Sequence, residues 1–125
     1  MDTVIMIDSK TARVFAENWI KAWNDRDLDT LAAYYTDDFE YTSPFVVEIM
    51  KIKSGQIKGK QQVRDYWTEA LRQVKEIHFE LIDVFTGTHS IIINYKGVHG
   101  RIGCQVFYFD KIGAVYKSHS HYNKI

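Results

Sequence analysis

Residues 19–45, WIKAWNDRDLDTLAAYYTDDFEYTSPF, constrain the fold more than any other stretch, because two helical patterns and a strand follow one another with almost no linking chain. Trp19 and Trp23 stand four residues apart and therefore share a helix face. Residues 24–27 contain no glycine and form a tight turn. Asp27 then precedes Leu28, Leu31, Ala32 and Tyr35 at helical spacing, and a carboxylate in that place accepts hydrogen bonds from the free amides of the next turn. Asp37 and Asp38 lead into an alternating strand over residues 39–43, which Pro44 ends. A helix, a shorter helix and a strand, in that order, open an α+β domain.

The rest of the chain extends this pattern. Ala12, Phe15, Ala16, Trp19, Ile20 and Trp23 recur at three- and four-residue steps, with Lys10, Arg13, Glu17 and Lys21 on the opposite side, so residues 9–23 form one amphipathic helix. Residues 46–57 read as a β-hairpin turning at Ser54 and Gly55, closed by Gly59. Val63, Trp67, Ala70, Leu71 and Val74 mark a third helix. Strands are predicted over residues 76–85, 89–96, 101–110 and 114–122, joined by connections of hairpin length. The doublet Leu81-Ile82 breaks the alternation of the first of these and hints at a bulge. Three helices followed by a meander predict a mainly antiparallel sheet curled round the helices, with an inner and an outer face.

A chain of 125 residues suits one domain, residues 1–125, able to fold without staples. Sixteen basic and sixteen acidic residues give no net charge and no long run of one sign, which argues against nucleic acid and anionic membrane as partners. Cys104 is alone, so no internal disulfide forms, and it reads as a small buried hydrophobe. The apolar residues 4–7 are too few for a secretory leader, and nothing approaches the ~18 apolar residues of a membrane span. A cytoplasmic protein is expected.

Several local patterns point to one family. They are Trp23-Asn24 with Asp27-Leu28, the run YTDDFEYTSP over residues 35–44, Ile57-Lys58-Gly59-Lys60 leading to Val63 and Tyr66-Trp67, and residues 107–115 with His121-Tyr122. Over nearly its whole length the chain resembles the nuclear transport factor 2-like superfamily, in its SnoaL-like, polyketide cyclase-like branch. The resemblance implies a cone-shaped roll of the cystatin-like kind, in which helices lid a cavity walled by the concave sheet. Its relatives include isomerases, cyclases, dehydratases and epoxide hydrolases.

The positions where those relatives keep their acids and bases are mostly filled otherwise here. Where ketosteroid isomerases place a tyrosine and two aspartates, this chain has Trp19, Ser43 and Gln105, none of which is a carboxylate able to move a proton between carbons. The last-strand aspartate of the epoxide hydrolases falls on Ser120. The histidine and tryptophan of the cyclases fall on Ser118 and His119, so the histidine is displaced by one residue. Both ketosteroid-isomerase and epoxide-hydrolase chemistry are disfavoured, and no catalytic residue is assigned.

In the same register the inner wall holds Phe39, Tyr41 and Ser43, then Ile91, Ile93 and Tyr95, then Gln105, Phe107 and Phe109, then Tyr116, Ser118, Ser120 and Tyr122. With Trp19 and Trp67 from the helices, the expected ligand pocket comprises Trp19, Tyr41, Ser43, Trp67, Tyr95, Gln105, Phe107, Ser118, Ser120 and Tyr122. Any single aromatic suits ordinary core packing. The inward polar group of Ser43, Gln105, Ser118 and Ser120 instead calls for a space where something is hydrogen-bonded.

His119 and His121 share a strand face, but no third ligand follows and no metal site is expected. His78 with Glu80, and Glu48, are reserve acid–base candidates. The expected function is cofactor-free binding of a hydrophobic metabolite. The alternatives are a cofactor-independent isomerase, cyclase or dehydratase, and a dimerising module whose cavity is packed shut. Ile92, Cys104, Val106 and Tyr108, with Lys117, His119 and His121, are expected on the outer face, where they would form a homodimer contact.

Overall fold

The computed structural model describes residues 7–125; residues 4–6 of the apolar stretch near the start lie outside them. Helix α1 (Ser9–Asn24) begins where the Asp8 carboxylate accepts the amide of Thr11 at 2.7 Å, and its buried stripe contains Ala12, Ala16, Trp19, Ile20 and Trp23. Helix α2 (Leu28–Ala33) is capped the same way by Asp27, which accepts from the Thr30 amide. Strand β1 (Tyr35–Thr42) is followed by α3 (Pro44–Met50), β2 (Gln56–Lys58) and α4 (Lys60–Gln73). The chain then runs through β3 (Glu80–Thr86), β4 (Ser90–Lys96), a 3-10 turn (Val98–Gly100), β5 (Ile102–Phe109) and β6 (Val115–Tyr122). None of the helices is long and apolar enough to cross a membrane among the described residues.

The six strands form one sheet in the order β2-β1-β6-β5-β4-β3. All neighbours are antiparallel except β1 and β6, which run parallel. The fold class is therefore the expected α+β one, with a mainly antiparallel sheet packed on helices. Alternation sorts the strands: Ile91, Ile93, Tyr95, Gln105 and Phe107 are buried on the helix side, while Ile92, Cys104, Val106 and Tyr108 are half-exposed on the other. The predicted bulge is present, since the β3–β4 register shifts between Leu81 and Asp83. Gly103 belongs to the inner face as well. A side chain there would place its Cβ 2.9 Å from Cζ of Tyr95, so only glycine lets that ring lie flat against β5.

Five expectations need correction. Residues 46–57 do not form a hairpin. Pro44 occupies the first turn of α3, where a missing N–H costs nothing, and the Ser43 hydroxyl accepts the amide of Phe45 at 3.2 Å. The helix ends at Lys51 in the left-handed region, and only the short β2 returns to pair with β1. The molecule consequently has four α-helices, where three were expected. Strand β3 starts at Glu80, later than residue 76, and β1 starts at Tyr35, earlier than residue 39. Tyr116 points outward, 43% exposed, because the β5–β6 register shifts between Tyr108 and Phe109: Phe109 pairs with Val115 and Tyr108 with Lys117, which leaves Tyr116 as the extra residue of a bulge.

Candidate functional site

Between the helices and the inner sheet face lies a cavity of about 250 Å³. Helix α1 contributes Trp19 and Trp23, α4 contributes Tyr66, Trp67 and Ala70, and the sheet contributes Tyr41, Tyr95 and Gln105. The aromatic rings interlock edge to face, Trp23 against Trp67 at 5.8 Å between centroids and Trp19 against Tyr95 at 5.4 Å. Phe45, Glu48, His99, Arg101 and Tyr122 complete the lining. Glu48 and His99 are exposed, which places them at the mouth.

Behind the wall runs a chain of hydrogen bonds whose direction is fixed by its last member. The Ser118 hydroxyl donates to the carbonyl of Val106 at 2.7 Å, and a carbonyl can only accept. Ser118 must therefore accept from the Gln105 amide, whose Nε2 lies 2.9 Å away. This orients the Gln105 side chain and turns its carbonyl toward Ser120, which donates to it at 3.0 Å. With its one proton committed, Ser120 accepts from the Tyr41 hydroxyl 2.5 Å away. Tyr41 thus gives its proton inward and retains only lone pairs for any other neighbour. It can accept a hydrogen bond but cannot polarise a ligand carbonyl while the chain is intact.

The buried tyrosines of the cavity stay neutral. Burial first, then the neighbouring tyrosines, raises Tyr41 and Tyr95 well above the ordinary tyrosine range. Burial raises Tyr35 and Tyr66 too, against the lowering effect of Trp19 on Tyr35 and of Ser43 and Tyr41 on Tyr66. At neutral pH these groups are hydrogen-bonding phenols and not bases. Trp19 donates to the Tyr35 hydroxyl at 3.2 Å. The indole N–H of Trp23 is buried without a hydrogen-bond partner among the described residues.

Of the ten expected pocket residues, Trp19, Tyr41, Trp67, Tyr95, Gln105 and Tyr122 face this cavity. Phe107 and Ser118 are fully buried beneath the wall. Ser43, Gln105 and Ser120 do not share one cavity as expected. Ser43 caps α3 and also hydrogen-bonds the Tyr66 side chain, Ser120 stands behind Gln105, and both line a shallow outer depression with Thr42, His119 and His121. His119 lies on the outer face with its Nδ1 at the Thr42 hydroxyl, and His121 bonds the carbonyl of Cys104. No cluster of three metal-binding side chains occurs among the described residues. His78 and Glu80 lie apart from the cavity, and Cys104, read as buried, is half-exposed beside the Asn94 amide.

Glu48, a reserve acid–base candidate from the sequence, does stand at the mouth, but sequence reasoning missed Tyr66, Trp23, His99 and Arg101 as lining residues. Tyr66 was findable, since Val63, Tyr66, Trp67 and Ala70 form one stripe at helical spacing. His99 and Arg101 sit at a turn, where no periodicity marks a side chain's direction.

A family model described as a SnoaL-like domain matches residues 16–110. The chain belongs to the SnoaL-like family. Among solved structures, this SnoaL-like chain is similar to a SnoaL-like protein of unknown function from Burkholderia thailandensis, at 42% identity and a TM-score of 0.90, covering 94% of this chain and 98% of that one. The fold is also shared with a candidate ketosteroid isomerase from Kribbella flavida, at 15% identity, a TM-score of 0.71 and coverage of 94% and 82%. A third similar structure is the epoxide hydrolase/cyclase-like enzyme SalBIII, with a role in pyran ring formation in the polyether salinomycin, at 12% identity, a TM-score of 0.72 and 94% of each chain. No curated protein matches the SnoaL-like chain.

Proposed function

We propose that this SnoaL-like protein binds a small hydrophobic molecule in the cavity, with a ligand hydroxyl or N–H donating to Tyr41. The observation that carries the reading is an aromatic cavity whose interior holds neutral phenols and an amide, with its carboxylate, Glu48, at the exposed mouth. Such a lining supplies apolar contact and a few orienting hydrogen bonds, the usual make-up of a ligand site. It does not supply a buried base for proton abstraction. At about 250 Å³ the space lies just below the ~300–1,000 Å³ typical of ligand pockets, which suits a one- or two-ring compound.

All three tryptophans of the chain line the cavity, so intrinsic fluorescence reports its occupancy. 2-Naphthol is expected to quench that fluorescence saturably, and to bind about two- to tenfold more tightly than 2-methoxynaphthalene, which lacks the donor. Tyr41→Phe should remove the difference, and Ala70→Phe, which fills the space from α4, should abolish binding of both. Absence of saturable quenching by either compound, or binding untouched by Ala70→Phe, would overturn the reading.

A further inference from the structure

Three of the five arginines, Arg13, Arg64 and Arg72, each face a carboxylate, those of Asp83, Asp29 and Glu69, while Arg26 is exposed and away from the cavity. Arg101 lines the cavity and is half-buried, yet among the described residues it pairs with no carboxylate. It is nevertheless held in place. Its Nε donates to the carbonyl of Lys124 at 2.9 Å, and its guanidinium carbon lies 4.7 Å from the centre of the Phe45 ring. Phe45 in turn packs edge to face on Tyr122 at 4.8 Å.

Those contacts use the Nε donor and the flat face of the guanidinium. They leave its two terminal amino groups, the pair whose spacing matches the two oxygens of a carboxylate. A cation fixed on an apolar wall, partly removed from water, also attracts an anion more strongly than a solvated one does. We infer that the ligand of this cavity carries a carboxylate, and that Arg101 seats it at the mouth while the hydrophobic body lies among Trp19, Trp23 and Trp67. This inference rests on the reading of the cavity as a binding site and adds the ligand's charge.

One group opposes it. Glu48 lies one helical turn after Phe45 on α3 and lines the same mouth, exposed and forming no ion pair among the described residues. Its negative charge repels an incoming carboxylate, which makes it an independent handle on the sign of the ligand. His99 is the other titratable side chain of the mouth.

The test compares 2-naphthoate with 2-naphthamide, of similar shape but neutral, by tryptophan quenching and calorimetry at low salt. Naphthoate is expected to bind about tenfold more tightly, Arg101→Gln to bring it down to the level of naphthamide without changing naphthamide itself, and Glu48→Gln to strengthen naphthoate alone. Equal affinities in the native protein would overturn the inference, as would an Arg101→Gln effect of the same size on both compounds. If 2-naphthol binds and naphthoate shows no advantage, the cavity reading stands and the carboxylate is removed from it. If none of the three binds, both fall. Thermal melting of Arg101→Gln separates lost recognition from lost folding.

Discussion

Gly103 shows how one residue sets the shape of the cavity wall. Its position on the inner face of β5 puts the Tyr95 ring where a Cβ would be, at 2.9 Å from Cζ, 3.0 Å from Cε1 and 3.1 Å from Oη. Tyr95 cannot yield cheaply. It is 4% exposed and held between Trp19 and Phe79, at 5.4 and 4.9 Å between ring centres. Gly103→Ala is therefore expected to destabilise the fold by about 1–3 kcal/mol, the usual cost of overpacking. Urea denaturation measures this, and naphthol affinity should fall in parallel because Tyr95 lines the cavity. A loss below about 0.5 kcal/mol would mean that the ring moves aside freely.

Among the elements, α3 is the one that shapes the mouth and the one that the sequence pattern hides. Helices α1 and α4 are long enough to show several apolar repeats, and β4, β5 and β6 alternate over seven or eight residues each, so their inner and outer faces could be read without a structure. Helix α3 has only seven residues, PFVVEIM, whose β-branched valines and isoleucine favour a strand by propensity. Local chemistry overrides that propensity: Ser43 caps, Pro44 starts, and Phe45, Glu48 and Ile49 then fall on the side that lines the cavity. The outward turn of Tyr116 was hidden for a different reason, because a single inserted residue in a bulge leaves no mark on composition. The polar chain behind the wall was legible as residue types but not as distances, which is why Ser43 and Ser120 were expected beside Gln105 inside one space. If the cap decides α3, Ser43→Ala should cost about 1 kcal/mol and raise hydrogen exchange at the Phe45 and Val46 amides. Ser43→Asp, which preserves an acceptor, should restore most of both. Unchanged exchange in the alanine variant would show that Pro44 alone is enough to start the helix.

For the molecule as a whole, the outer face of the sheet is proposed as a two-fold contact between copies of the chain. Register places Phe85, Ile92, Val106 and His119 in one row across β3, β4, β5 and β6, with Tyr108 and Tyr116 beside it. Phe85 is 52% exposed, and a chain without net charge has little electrostatic self-repulsion to keep such faces apart. His119 gives the contact a pH dependence. Burial, followed by the charges of Lys117 and His121, lowers its pKa below the usual value, with Glu40 acting weakly the other way. A histidine whose pKa is lowered on folding costs nothing while it is neutral in both states. Its cost appears as pH falls below the unfolded value of about 6.5 and stops growing below the folded one. Burial in a dimer extends the same desolvation, so protonation should open the contact. Light scattering is expected to give a dimer mass at neutral pH and a shift toward monomer near pH 5, and His119→Gln should remove that shift. Val106→Glu, which puts a charge in the centre of the row, should give a monomer at every pH. A dimer that survives Val106→Glu would place the contact on another face, and a monomer at neutral pH and high concentration would remove it altogether.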